Sequence, residues 1–138
     1  MPVFPSVEWF EAVRSAANLD PAFRSLGTAE ARVGVKVGGQ VYALDFDAFE
    51  CAGVSQVEEH ALLDVDFYLD MAPEAWRSLL TNVMENDGAD SEHTFNTLDV
   101  ESGIVESSNP YGLNSFPRYH LTVQRFFDVS GQVETTFE

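Results

Sequence analysis

Basic charge is scarce in this chain. Its 138 residues hold one lysine, Lys36, and six arginines against 23 acids, for a formal charge of −16. A phosphate backbone is gripped by a clustered basic footprint, and Arg14, Arg24, Arg32, Lys36, Arg77, Arg118 and Arg125 are spread too thinly to form one, so nucleic acid is excluded as a partner. The same sign argument disfavours adsorption to an anionic membrane surface. Between Val37 and Ala75 there is no Lys or Arg while acids recur, the pattern of a solvated acidic surface. Cysteine is nearly absent as well: Cys51 stands alone, which rules out an internal disulfide and a cysteine zinc site. With Glu50 beside it, Cys51 reads as a packed, idle thiol. No window approaches the ~20 apolar residues needed to span a bilayer. The opening Met1-Pro2-Val3-Phe4-Pro5 has no basic or continuous apolar stretch, so no secretory signal is expected and the chain is expected in the cytoplasm.

Apolar residues, by contrast, are ample. They make up 45% of the chain, with 12% aromatics and eleven Phe, enough for one domain over residues 1–138 with a single core. Its clearest passage runs from Val65 to Val83. Val65, Phe67, Leu69 and Met71 alternate with Asp66, Tyr68 and Asp70 as in a half-buried strand. Then Trp76, Leu79, Leu80 and Val83 recur at helical spacing behind Pro73, which suits the first helical position. Upstream, Ser6 caps a helix reaching about Ala17, and Asp20-Pro21 opens a short one closed by Gly27. Two alternating runs, Val33 to Val37 and Tyr42 to Phe46, flank Gly38-Gly39 as a hairpin, and a further strand falls within Phe49 to Val57. The stretch from Glu85 to Pro117 is hard to read, with weak alternation at Leu98, Val100 and Ile104 and a turn cluster at Asn109-Pro110-Tyr111-Gly112. Tyr119, Leu121, Val123 and Phe127 read as one side of a strand, and Ser130-Gly131 as the turn into an edge hairpin over Gln132 to Phe137. Strands in a run with helices on one face give an α+β two-layer sandwich: a mainly antiparallel, curved sheet of about five or more strands covered on one face by helices.

Trp9, Phe23, Phe46, Phe67, Leu69, Trp76 and Leu80 fall on inward faces and are the candidate wall of a ligand cavity between helices and sheet. The alternative for the same residues is a filled core without a cavity. His60, His93 and His120 show no His-x-x-x-His or His-x-His spacing, so no metal site is assigned. His120 falls on the polar side of its expected strand. Asp66 with Asp70, and Asp45 with Asp47, are paired carboxylates on polar faces, where solvation rather than acid–base work is expected. Asp87, Asp90 and Glu92 lack the spacing and glycine of an EF-hand. No glycine-rich phosphate loop and no Gly-x-Ser-x-Gly elbow is present, so no catalytic residue and no cofactor is assigned.

Order and spacing over roughly residues 5 to 83 resemble the SCP2-like (sterol carrier protein 2, sterol-binding domain) family. The resemblance rests on Asn18-Leu19-Asp20-Pro21-Ala22-Phe23, on the hairpin from Val33-Gly34-Val35-Lys36 to Tyr42-Ala43-Leu44, on Asp64-Val65-Asp66-Phe67-Tyr68-Leu69-Asp70-Met71, and on Ala75-Trp76-Arg77-Ser78-Leu79-Leu80. It implies a five-stranded sheet covered by helices, a tunnel for fatty acyl chains, sterols or similar molecules, and no shared catalytic residue. The chain departs from the family after the Trp-containing helix. Thr81-Asn82 stands where carriers have Gly-Lys, and Thr135-Thr136-Phe137-Glu138 is not the peroxisomal Ser-Lys-Leu address. Without those basic residues, acyl-CoA phosphates are not expected as ligands, and an uncharged or weakly polar apolar molecule is. The expected function is a non-enzymatic binding or carrier domain for an apolar small molecule, without membrane insertion and with room for a protein partner or a homodimer. Two alternatives stand beside it: a small isomerase or dehydratase on a cone of the nuclear transport factor 2 type, using acids such as Asp45 and Asp66 or His120, and an acidic accessory subunit docking a basic partner.

Overall fold

The hydroxyl of Ser6 accepts the Trp9 N–H at 3.1 Å and so starts helix α1, Val7–Asn18, which buries Trp9, Phe10, Val13 and Ala17. In this computed structural model, residues 3–25, 31–47, 50–86, 88, 94, 95, 98, 103–107, 115–133 and 135–137 are described. Before α1 lies the short strand β1, Val3–Phe4, and after it the single turn α2, Pro21–Arg24. Asp20 caps α2, accepting the Phe23 N–H at 3.0 Å, and Pro21 opens it as expected. Gly27, expected to close α2, lies outside the described residues, as do His93, Val100, the Asn109–Gly112 cluster and the acids Asp87, Asp90 and Glu92.

Strands β2, Ala31–Val37, and β3, Gln40–Asp47, form the expected antiparallel hairpin, turning at Gly38, whose φ of +59° suits a residue without a Cβ. β4, Glu50–Val57, continues the sheet beyond β3, with a register shift where Asp45 faces Gly53 and Phe46 faces Cys51. A 3-10 turn, Glu59–Leu63, returns the chain to β5, Phe67–Met71, which lies beside β2 and parallel to it. Helix α3, Pro73–Asn86, follows at once, and β6, Val105–Glu106, closes the far edge antiparallel to β5. The order β4-β3-β2-β5-β6 is thus a five-stranded mixed sheet in an α+β fold.

One face of the sheet carries Val33, Val35, Tyr42, Leu44, Phe46, Phe67 and Leu69 into a core shared with the buried faces of α1 and α3. On the other face a smaller cluster joins Val41, Leu62 and Val65. Val65, expected inward beside Phe67, therefore belongs to the outer cluster. It precedes the strand, because Asp66 bonds the Arg32 main chain in both directions at 2.8 Å and the pairing of β5 with β2 begins only afterwards.

The last third corrects the expectation most. Residues read as a strand from Tyr119 to Phe127 form helix α4, Ser115–Asp128. Val123, Phe126 and Phe127 are buried, Tyr119 is half-buried and Leu121 is 59% exposed. Tyr119, Val123, Phe126 and Phe127 thus recur at i, i+4, i+7 and i+8. The apparent two-residue alternation depended on Leu121, which faces solvent. Pro117 lies within the first turn, where an N–H would have no partner in the helix. His120 is accordingly on a helix. The expected edge hairpin is replaced by a 3-10 turn, Val129–Gln132, and by β7, Thr136–Phe137, which pairs parallel with β1 at the opposite end of the chain. Gly131 in that turn is close to α3, since a Cβ there would stand 3.2 Å from the Val83 carbonyl oxygen.

Asp20 ties α2 to α4. Its two carboxylate oxygens accept from Arg125 Nε at 2.7 Å and Nη2 at 3.1 Å. Arg125 thereby holds the carboxyl below its ordinary value of 3.8, so the unfolded chain binds this proton more tightly than the folded one. The stabilisation is complete above the unfolded value and is lost as pH falls through the folded one. Urea titrations should show Asp20→Asn less stable than the parent by about 1–3 kcal/mol at neutral pH, with the difference shrinking below about pH 4. At Gly34 a Cβ would lie 2.6 Å from Leu62 Cδ2 and 2.7 Å from Tyr68 Cβ, the latter fixed to the neighbouring strand. Overpacking of about 1–3 kcal/mol should outweigh the ~0.5–1 kcal/mol that alanine offers over glycine, so Gly34→Ala lowers the melting temperature. Gly39→Ala meets nothing within 4 Å and should not.

Candidate functional site

Where the two chain ends meet the hairpin and the start of α3, the surface opens into a cavity of about 580 Å³. Phe4 lines it from β1 and Pro5 just after, Phe137 from β7, Val37, Gly39 and Gln40 from the hairpin, and Pro73, Glu74 and Arg77 from α3. Each wall has its own anchor. Pairing of Val3 with Thr136 and Phe4 with Phe137 joins the ends, and Trp9 Nε1 donates to Thr135 Oγ1 at 2.9 Å. Trp76 Nε1 donates to the Lys36 carbonyl at 2.9 Å, which fixes α3 against β2. Phe4 presents its ring from the core, edge-on to Trp9 at 4.8 Å between centroids, and 6.3 Å from Phe137. The Arg77 guanidinium lies 5.1 Å from the centre of the Phe137 ring. The wall is therefore mainly apolar, with Gln40, Glu74 and Arg77 as its polar members. Glu74 and Arg77 also line a shallower polar groove along α3 with Ser78, Thr81, Asn82 and Glu85.

The seven candidate residues come together in a single buried cluster rather than around this opening. Trp9, Phe67, Leu69 and Trp76 have no exposed surface, and Phe23, Phe46 and Leu80 almost none. Phe23 packs on Phe46 at 6.3 Å, Phe46 on Phe126 at 5.8 Å and Trp76 on Phe127 at 5.3 Å. None of the seven is among the described lining residues. Trp9 and Trp76 come nearest in effect, since both contact the ring of Phe4 from behind. Phe4, Pro5 and Phe137 escape sequence reasoning because they meet only through pairing between opposite ends of the chain. Arg77 escapes it because one arginine on a polar helix face has no local signature.

The acids weighed for catalysis are engaged elsewhere. Asp45 pairs with Arg32 at 3.3 Å, and Asp66 accepts the Arg32 main-chain N–H. Lys36 pairs with Glu59 at 2.9 Å, and that hydrogen bond raises its pKa, the opposite of what a nucleophilic lysine requires. Tyr68 is likewise shifted upward by burial and by its hydrogen bond to Glu106 at 2.9 Å. Burial pushes the Cys51 thiol up to about 12, so it stays protonated. His60 is exposed beside Glu58 at 3.4 Å. Among the described residues no group of three or more His, Cys, Asp or Glu side chains is placed to hold a metal ion, and no helix is long and apolar enough to cross a membrane.

No protein-family model matches the chain, and no curated protein matches its sequence. A solved structure does. The crystal structure of sterol carrier protein 2 superimposes with a TM-score of 0.69 over 94% of this chain and 98% of that one, at 18% sequence identity. The match extends well past the region where the sequence resemblance fades. It favours the carrier architecture over the nuclear transport factor 2 type of cone, and the fold of this chain is that of sterol carrier protein 2.

Proposed function

We propose that the protein is a non-enzymatic binding or carrier domain for an apolar small molecule of lipid, sterol or fatty acyl type, acting in the cytoplasm. The observation that carries this reading is the cavity of about 580 Å³ walled by Phe4, Pro5, Val37, Pro73 and Phe137, on a fold shared with a sterol carrier. That volume falls within the ~300–1,000 Å³ of ordinary small-molecule sites. A micromolar complex needs about 8 kcal/mol net. With at least ~4 kcal/mol lost on immobilisation and ~25 cal/mol gained per Å² of apolar surface, about 500 Å² must leave water on ligand and protein together. That requirement favours an extended or polycyclic hydrocarbon body over a small polar metabolite. On this reading Trp9 and Trp76 support the pocket through Phe4, while Phe23, Phe46, Phe67, Leu69 and Leu80 hold the sheet and helices that frame it.

Native mass spectrometry of the purified protein, followed by organic extraction, should reveal retained lipid. In parallel, the neutral probe N-phenyl-1-naphthylamine should bind and quench Trp9 and Trp76 by energy transfer. Gln40→Trp, which fills the cavity from its rim, should weaken that binding by about tenfold, a change of ~1.4 kcal/mol. The reading is overturned when no fatty acid, fatty alcohol, sterol or neutral probe binds, or when Gln40→Trp binds the probe as well as the parent.

A further inference from the structure

We infer that the pocket selects an amphiphile carrying a single anionic head group, and that Arg77 is the residue that recognises it; this rests on the binding function proposed above. Six basic side chains are described, and five of them have a carboxylate partner: Arg14 with Glu11, Arg24 with Glu50, Arg32 with Asp45, Lys36 with Glu59 and Arg125 with Asp20. Arg77 alone has none among the described residues, in a chain where acids outnumber bases 23 to seven. With so many carboxylates available, an arginine left over the face of Phe137 is oriented by the ring but not neutralised by any of the described residues. Its position gives the vacancy a use. Arg77 is shared between the apolar cavity and the polar groove of Ser78, Thr81, Asn82 and Glu85, so a ligand with its hydrocarbon body on Phe4, Val37 and Pro73 would bring its head beside the guanidinium. That planar fork of donors matches a carboxylate in a bidentate geometry.

Charge also sets an upper limit. Glu74 shares both lining surfaces with Arg77, Glu85 lies farther along the groove, and the whole chain carries −16. One guanidinium compensates one negative charge. A head bearing several phosphates would meet uncompensated repulsion in this field.

Calorimetric titration with dodecanoate, 1-dodecanol and dodecanoyl-coenzyme A separates the possibilities. Dodecanoate should bind about tenfold more tightly than dodecanol, equivalent to ~1.4 kcal/mol, and dodecanoyl-coenzyme A more weakly than dodecanoate. Arg77→Gln, an exposed helical position given a good helix former, should reduce the dodecanoate-to-dodecanol affinity ratio to about one. Arg77→Lys should retain part of the ratio, and Arg24→Gln all of it. Equal binding of acid and alcohol by the parent, or a ratio unchanged in Arg77→Gln, overturns the assignment while leaving the carrier function standing. Failure of all three ligands while the neutral probe still binds overturns the assignment alone, and failure of sterol and probe as well overturns both.

Discussion

Trp76 is the residue through which sheet, helices and chain ends constrain one another. Its indole N–H is held by the Lys36 carbonyl at 2.9 Å, which sets where α3 lies along β2. Its ring then packs on Phe127 of α4 at 5.3 Å, on Phe95 at 5.9 Å and on Phe4 at 6.2 Å. Such ring pairs add about 0.5–1.5 kcal/mol each beyond the area they bury. The buried donor needs a partner, and a main-chain carbonyl on a paired strand is a rigid one. Translation of α3 against the sheet would break that bond and disturb three aromatic contacts at once. Because Pro73, Glu74 and Arg77 lie in the first two turns of the same helix, the cavity inherits its geometry from this anchor.

Legibility in the sequence followed the range of the interactions. Ser6, Asp20-Pro21, Gly38-Gly39 and Pro73 act on neighbours a few residues away, and each produced the element expected of it. The inward residues Trp9, Phe23, Phe46, Phe67, Leu69, Trp76 and Leu80 were identified as inward for the same reason: strand and helix periods expose burial locally. In α4 the local signal was ambiguous. Tyr119, Val123 and Phe127 fit both periods, Leu121 fits only that of a strand and Phe126 only that of a helix, and packing against the core decides. The pocket was illegible because its opposing walls are separated by nearly the whole chain, and a two-residue strand such as β7 carries no pattern.

Electrostatics divide the molecule along the same lines. Four of the described Lys and Arg side chains pair with acids at the surface, where isolated pairs contribute about 0–1 kcal/mol, so the fold does not depend on them individually. Asp20 with Arg125 differs, since the carboxylate is only 12% exposed and joins two helices across the chain. Excess acidity makes a guanidinium without a carboxylate partner among the described residues conspicuous. The expectation of an uncharged or weakly polar ligand followed from the missing lysines. The role proposed for Arg77 would alter it by one charge.

The parallel pairing of β1 with β7 gives the cavity a mechanical role. A two-residue ladder is weak by itself, and here β1 and β7 are held by that ladder, a Trp9–Thr135 hydrogen bond and aromatic contact. A molecule seated between Phe4, Phe137 and α3 would touch both strands together. It would act as a clasp on the closed chain, adding about 2.7 kcal/mol to the folded state at a hundredfold excess over its dissociation constant. Cargo and fold would then secure each other through the pairing of β1 with β7.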